Sequence, residues 1–226
     1  IEQGLNEKYT NNNIVLKASF KEFKAYNYFS LYFDDKALEE YKNVINFVPQ
    51  QTDIESYKIL TRVNASISLM YAFKKDNKTA NFYINKALKN YQNVPVNKID
   101  KFDFSGLLIV KGRVCLSNNK VDSAYYYIKK SYDSVKDDKK HSNYRQLSAL
   151  AEFYYTTKQY SKALDYYLKV INEMEKFDIK NANYLIEIYP TIAELYERLD
   201  DSENQKLFLD KYRKESEQFQ KKNTEN

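Results

Sequence analysis

Five small residues set the frame for this chain: Ala25, Ser68, Gly112, Ala151 and Ala193. They follow one another at intervals of 43, 44, 39 and 42 residues, and three positions after each stands Tyr28, Tyr71, Cys115, Tyr154 or Tyr196. A second row, Ala37, Ala80, Ala124 and Ala163, accompanies the first four members, and Gln205 breaks it in the fifth. Close helix crossings need small side chains at the contact, because a larger residue holds the two axes apart. A chain with this register is expected to fold as helix pairs that cross at the small residues.

The central stretch, residues 148–173, carries the pattern most clearly. Leu147, Leu150, Ala151 and Tyr154 recur at helical spacing, as do Ala163, Tyr167, Val170 and Ile171. Between them the polar Thr157-Lys158-Gln159 leaves room for a tight reversal, so the two helices lie antiparallel. The same reading gives helices over 14–31 and from Asp34-Asp35 to Pro49. A long helix over 52–74 is followed by a partner that ends near Val94-Pro95. Residues 98–116 pair with a helix holding Val121 to Tyr132. The central hairpin runs from about His141 to Phe177, and the last from Asn181 through Tyr196, turning at Asp200-Asp201-Ser202. Pro190 either starts the last first-helix after an irregular lead or kinks a continuous one. Residues 1–13 read as a polar lead-in, 14–216 as the repeat domain and 217–226 as a polar tail.

Leu150-Ala151…Tyr154 followed by Ala163…Tyr167 resembles the tetratricopeptide repeat, whose pattern is Leu–small–x–x–Tyr and then Ala–x–x–x–aromatic. Ala37…Tyr41 with Pro49 behind it repeats the second half of that pattern; Lys24 stands where Leu is usual. The resemblance covers roughly residues 18 to 215. It implies an all-α right-handed superhelical solenoid of about five hairpins. The intervals exceed the roughly 34 residues of the family unit, which implies helices longer by about one to three turns. The last unit and the tail resemble the sensor portion of bacterial membrane-anchored signalling and transcription regulators. That likeness implies the soluble, extracytoplasmic part of an anchored protein, with a cytoplasmic peptide-sensing regulator as the alternative. The chain starts at Ile1 rather than Met, as a trimmed or mature product would.

Composition agrees with helices joined by short polar links: Gly 3 and Pro 3 leave few chain-breakers for tight β-turns. The net charge of +5 comes from 36 basic and 31 acidic residues interleaved along the chain, without the clustered stripe that nucleic acid binding needs. One cysteine excludes an internal disulfide. No apolar run approaches the ~20 residues of a membrane span, so any membrane contact would come through a flanking segment.

Chemistry finds little footing. His141 is the only histidine and has no partners at metal-ligand or triad spacing. Cys115 occupies the aromatic place of the third unit and reads as a structural thiol. Adjacent acids such as Glu39-Glu40 diverge on a helix. No catalytic residue, cofactor or metal is therefore expected. The family binds protein or peptide partners in a concave groove lined by the first helices, which implies a non-catalytic scaffold here. Residues three before, one after and four after each small position form the candidate stripe. Its members include Tyr26, Phe29, Leu69, Arg113, Glu152, Tyr155, Glu194 and Glu197. The stripe passes from aromatic to acidic along the chain. Its first units lack the Lys and Asn of the family's peptide-carboxylate clamp, which argues against recognition of a free C-terminal carboxylate.

Overall fold

A computed structural model of the protein describes residues 14–48 and 53–224. Helix makes up 82% of it, and the described residues contain no strand. Ten α-helices follow in order: α1 (Ile14–Ser30), α2 (Asp34–Phe47), α3 (Ile54–Phe73), α4 (Asn77–Gln92), α5 (Lys101–Ser117), α6 (Val121–Asp133), α7 (Tyr144–Thr156), α8 (Tyr160–Lys176), α9 (Ala182–Arg198) and α10 (Ser202–Thr224). The expected all-α fold of five TPR-like hairpins is the observed one. Pro49 and the lead-in over 1–13 lie outside the described residues, and α10 continues through the stretch read as a polar tail.

The small residues do what their spacing requires. Ala25, Ser68, Gly112, Ala151 and Ala193 are all buried, and so are Ala37, Ala80, Ala124 and Ala163. At the second crossing the Ser68 hydroxyl donates to the Ala80 carbonyl at 2.7 Å. One heptad away, Thr61 reaches the Ala87 carbonyl at 3.5 Å, which marks a second crossing layer between α3 and α4. Ala18 and Ser105, seven residues before Ala25 and Gly112, are likewise fully buried. The extra length per unit thus adds another small-residue layer to the helix pair.

All five hairpins close in the same way. Tyr32, Lys75, Asn119, Lys158 and Asp200 take positive φ of 62°, 58°, 58°, 61° and 58°. The amide of the next residue donates to the carbonyl five back, belonging to Tyr28, Tyr71, Cys115, Tyr154 or Tyr196, at 2.8–2.9 Å. This bond from C″ to C3 terminates a helix with a left-handed residue. Here no glycine fills that place, so each turn carries a side-chain clash that the main-chain bonds hold in position.

Asparagine and aspartate caps set several helix starts. Asp53, Asp76, Asp100 and Asn181 accept main-chain N–H bonds ahead of α3, α4, α5 and α9. Asp100 explains why α5 begins at Lys101 rather than near Lys98, where the chain makes a short 3₁₀ turn instead. Similarly, Asp138 accepts from the amides of Lys140 and His141, both at 2.8 Å. That local turn holds His141 in a loop and delays α7 to Tyr144. Pro190 lies inside the continuous helix α9, so the helix does not start at it.

The chain divides into two compact units, Ile1–Tyr127 and Ile128–Asn226, and the division falls within α6. In the first, α3 is apolar on two sides. Ile59, Val63 and Ile67 pack with Ala25, Tyr41 and Val44, while Ala65 and Ala72 pack with Ala80, Ile84, Leu107 and Val114. In the second unit α8 packs on α7 and α9, and α10 packs on α9. Phe208 of α10 is buried between Tyr189 and Tyr196, at ring-centroid distances of 5.8 and 5.6 Å, and fills a hairpin that lacks its second-row alanine.

Ala163→Phe puts a ring where α7 and α8 cross and is expected to cost roughly 1–3 kcal/mol or more; Val121→Ala, at an exposed position, should melt with wild type. Lys158→Gly relieves positive φ while keeping the turn's main-chain bonds. Urea melts should show it neutral to more stable by up to ~1 kcal/mol, and a clear loss would show that the Lys158 side chain supports the turn.

Candidate functional site

Two cross-helix pairs tie α1 to α3 in the first unit. Glu22 on α1 takes a bidentate ion pair from Arg62 on α3, with both nitrogen–oxygen distances 2.8 Å. The pair holds the Arg62 guanidinium more firmly protonated, chiefly through its hydrogen bond to Glu22. Further along, Phe29 stacks on Phe73 at 6.3 Å with an 18° interplanar angle. In sequence register between these pairs lie Tyr26, 54% exposed, and Leu69, half-buried. With Phe73 at 62% exposed, the face presents aromatic surface already ordered by packing below it.

The stripe read from the sequence is narrower in the structure. Ala65 and Ala72 of α3, and Ile109 of α5, are buried. The residue one after each small position stays at the surface or half-exposed: Tyr26, Leu69, Arg113, Glu152 and Glu194. Arg62 and Phe73, absent from the expected set, continue that row on α3. They lie seven before and four after Leu69, which is the spacing of one helix face and the signal that could have found them.

Arg113 is half-buried on α5 and has interactions of its own. In the second unit Glu194 and Glu152 are engaged. The Tyr155 hydroxyl donates to Glu194 Oε2 at 2.7 Å, and Arg198 donates to Oε1 through Nε and Nη2 at 2.8 and 2.7 Å. The Arg198 guanidinium also lies 4.8 Å from the centroid of the Tyr160 ring. Tyr155 first, and Arg198 second, hold the Glu194 carboxyl below its ordinary range. Glu152 accepts a 3.4 Å bond from Ser148, while Glu197 is exposed. The sequence reading also missed Tyr184, whose hydroxyl donates to Ser148 and whose ring meets Tyr144 edge-on at 5.8 Å.

Cys115 is a buried free thiol, and burial pushes its pKa up. Among the described residues no three His, Cys, Asp or Glu side chains converge to hold a metal. No helix among them is long and apolar enough to cross a membrane.

Hairpins in this register, closed by one repeated turn, define a tetratricopeptide-like helical-repeat fold. The chain matches no protein-family model and no curated protein. Its fold is similar to the aspartyl phosphate phosphatase F of Bacillus subtilis, with TM-score 0.64 and 14% identity over 93% of this chain and 54% of that one. The chain thus spans about half of that protein. The apo form of RapI gives TM-score 0.63 and 15% identity over 91% of this chain and 72% of that one. A Podospora anserina protein with nearly identical TPR-like repeats, described as a kinesin light chain, gives 0.57 and 12% over 91% and 97%.

Glu194→Gln checks the acidic contact. Because the folded pKa is lowered, the carboxylate's contribution is present above its unfolded pKa and is lost as pH falls through the folded value. Thermal melts from neutral to acid pH should show a smaller acid-side drop for the variant than for wild type. Equal drops would remove Glu194 from the account.

Proposed function

We propose that the chain is a non-catalytic, protein-binding repeat scaffold that takes an extended or helical segment of a partner against the α1–α3 face. The observation that carries this reading is the exposed Tyr26 ring with the stacked Phe29–Phe73 pair beside Leu69. Exposed aromatic rings held rigid by their neighbours gain contact area on binding with little further loss of side-chain entropy. Aromatic side chains of this kind commonly supply the energetic centres of interfaces. The bidentate Glu22–Arg62 pair at one end offers orientation through polar contacts at the rim.

The finer reading is the sensing part of a bacterial signalling or transcription-regulatory protein. Its support is the sequence resemblance and a fold shared with the Bacillus subtilis phosphatase F and RapI. A scaffold fits the engaged acids better than proton transfer does, because Glu22 and Glu194 are both held in ion pairs. An acid or base catalyst needs a carboxyl poised to exchange its proton.

Affinity capture by the chain as it exists, followed by titration of the recovered partner, tests the reading. Tyr26→Ala and Phe73→Ala are each expected to weaken binding by more than ~1 kcal/mol, with Tm close to wild type for Tyr26→Ala. Lys129→Ala, on α6, should cost little. Binding that survives both aromatic substitutions but falls with Lys129→Ala would place the partner elsewhere.

A further inference from the structure

The ion pair between Glu22 and Arg62 uses one edge of the guanidinium, through Nε and Nη2. The hydrogen bonds of Arg62 among the described residues end there. The group is planar and rigid, so the remaining nitrogen, Nη1, lies on the opposite edge and points away from α1. Helix α3 packs on α1 along one flank and on α5 along the other. Nη1 is therefore turned to the α5 side, and 40% of the Arg62 side chain stays exposed.

Level with Arg62 on α5 stands Gly106. The Ser117 hydroxyl of α5 donates to the Ala72 carbonyl of α3 at 3.3 Å, which fixes the register of these two helices. Counting back from that contact brings Arg62 beside Gly106, each six places before the small residue of its own helix. A Cβ built on Gly106 would meet no described atom within 4 Å, and its φ is not positive. Neither packing nor backbone geometry asks for glycine there, and glycine weakens a helix interior. Gly112 differs, being buried at its helix crossing. On the other flank Ser19 holds the same place on α1 and donates to the Val15 carbonyl of its own helix at 3.0 Å. Arg62 thus stands between two short neighbours, with its open edge toward the bare one.

We infer that this notch binds the main chain of an extended partner segment: a peptide carbonyl accepts from Arg62 Nη1, and the segment passes over Gly106. The inference rests on the scaffold reading above and narrows its partner from extended or helical to extended. Within a helix the interior carbonyls are taken by the helix's own amides, whereas an extended segment leaves them free. Glycine lets a foreign backbone approach more closely than any side chain would. Glu22 already balances the charge of Arg62, and Asp103 stands one turn before Gly106 on α5. The acceptor is therefore a neutral carbonyl rather than a second carboxylate. Leu69 lies seven residues further along α3, about 10 Å, a span that an extended segment covers in about three residues. An apolar side chain three residues from the held carbonyl then meets the surface of Tyr26 and Leu69.

The probe is the extended tetrapeptide acetyl-Thr-Ser-Thr-Phe-amide, titrated into the nitrogen-labelled chain. The Gly106 amide and the Arg62 Nε–H signals should shift saturably. Analogues with one peptide bond at a time replaced by an ester, whose carbonyl is a weaker acceptor, locate the held group; one of them should bind roughly threefold more weakly or worse. Gly106→Leu fills the notch without touching another residue, and should weaken binding roughly fivefold or more with Tm no lower than wild type. Gly106→Ala should fall between the two. Arg62→Lys keeps a cation for Glu22 but loses the second edge, and should weaken binding about threefold. Unchanged affinity in Gly106→Leu overturns the notch, as does an unresponsive Gly106 signal. Tighter binding of the probe with Asp in place of its first Thr overturns the neutral acceptor. If Gly106→Leu leaves partner capture intact while Tyr26→Ala still impairs it, the notch falls and the scaffold reading stands. If probe binding depends on Gly106 while Tyr26→Ala has no effect on capture, the notch stands and the aromatic face falls.

Discussion

The structure depends on how closely two helices can approach. Where Ala151 meets α8, or Ser68 donates directly to the Ala80 carbonyl, the backbones come close because no larger side chain intervenes. That contact fixes where each pair crosses, and the repeated turn fixes how the chain reverses. The two constraints share residues. The tyrosine or cysteine three past the small position also supplies the carbonyl that closes the turn, five times over. Packing and hydrogen bonding therefore select the same register, the agreement between local and tertiary preferences expected of a well-funnelled sequence.

From that register follows which surface is available. A first helix in the interior of the first unit, such as α3, buries two flanks and leaves one narrow row open. That row carries Leu69, with Arg62 and Phe73 before and after it. Partners in the neighbouring helix are then drawn by reach: guanidinium to carboxylate, ring to ring. In the second unit side chains of α7 and α9 meet directly: Tyr184 donates to Ser148, and Tyr155 to Glu194. One fold thus presents an aromatic face in one unit and a set of polar side-chain bridges in the other.

The fold was legible in the sequence because small residues at crossings cannot be exchanged for anything else, and Gln205 correctly marked the one hairpin built differently. Helix starts were less legible. At Asp100 and Asp138 a side-chain oxygen captures nearby amides, and that local competition outranks the hydrophobic period. For the candidate face, the position after each small residue was readable, but its flanking positions were not. Whether Ala72 or Phe73 faces outward depends on the neighbouring helix, which periodicity within one helix does not contain. Tyr167, placed by its helical spacing among the apolar residues of α8, is buried there.

The tyrosines give this protein an alkaline limit. Burial raises the pKa of Tyr41 and of Tyr91 to about 12, while an unfolded chain ionises its phenols near their ordinary value. Above that ordinary value the unfolded state releases protons that the folded state retains, so stability declines as the solution becomes more basic. With Trp 0 and Tyr 23, the absorbance of the molecule is itself tyrosine absorbance. Phenols at the surface ionise first and reversibly, and those in the core ionise only as the hairpins open. The chain therefore carries an internal optical record of its own unfolding, without any added label.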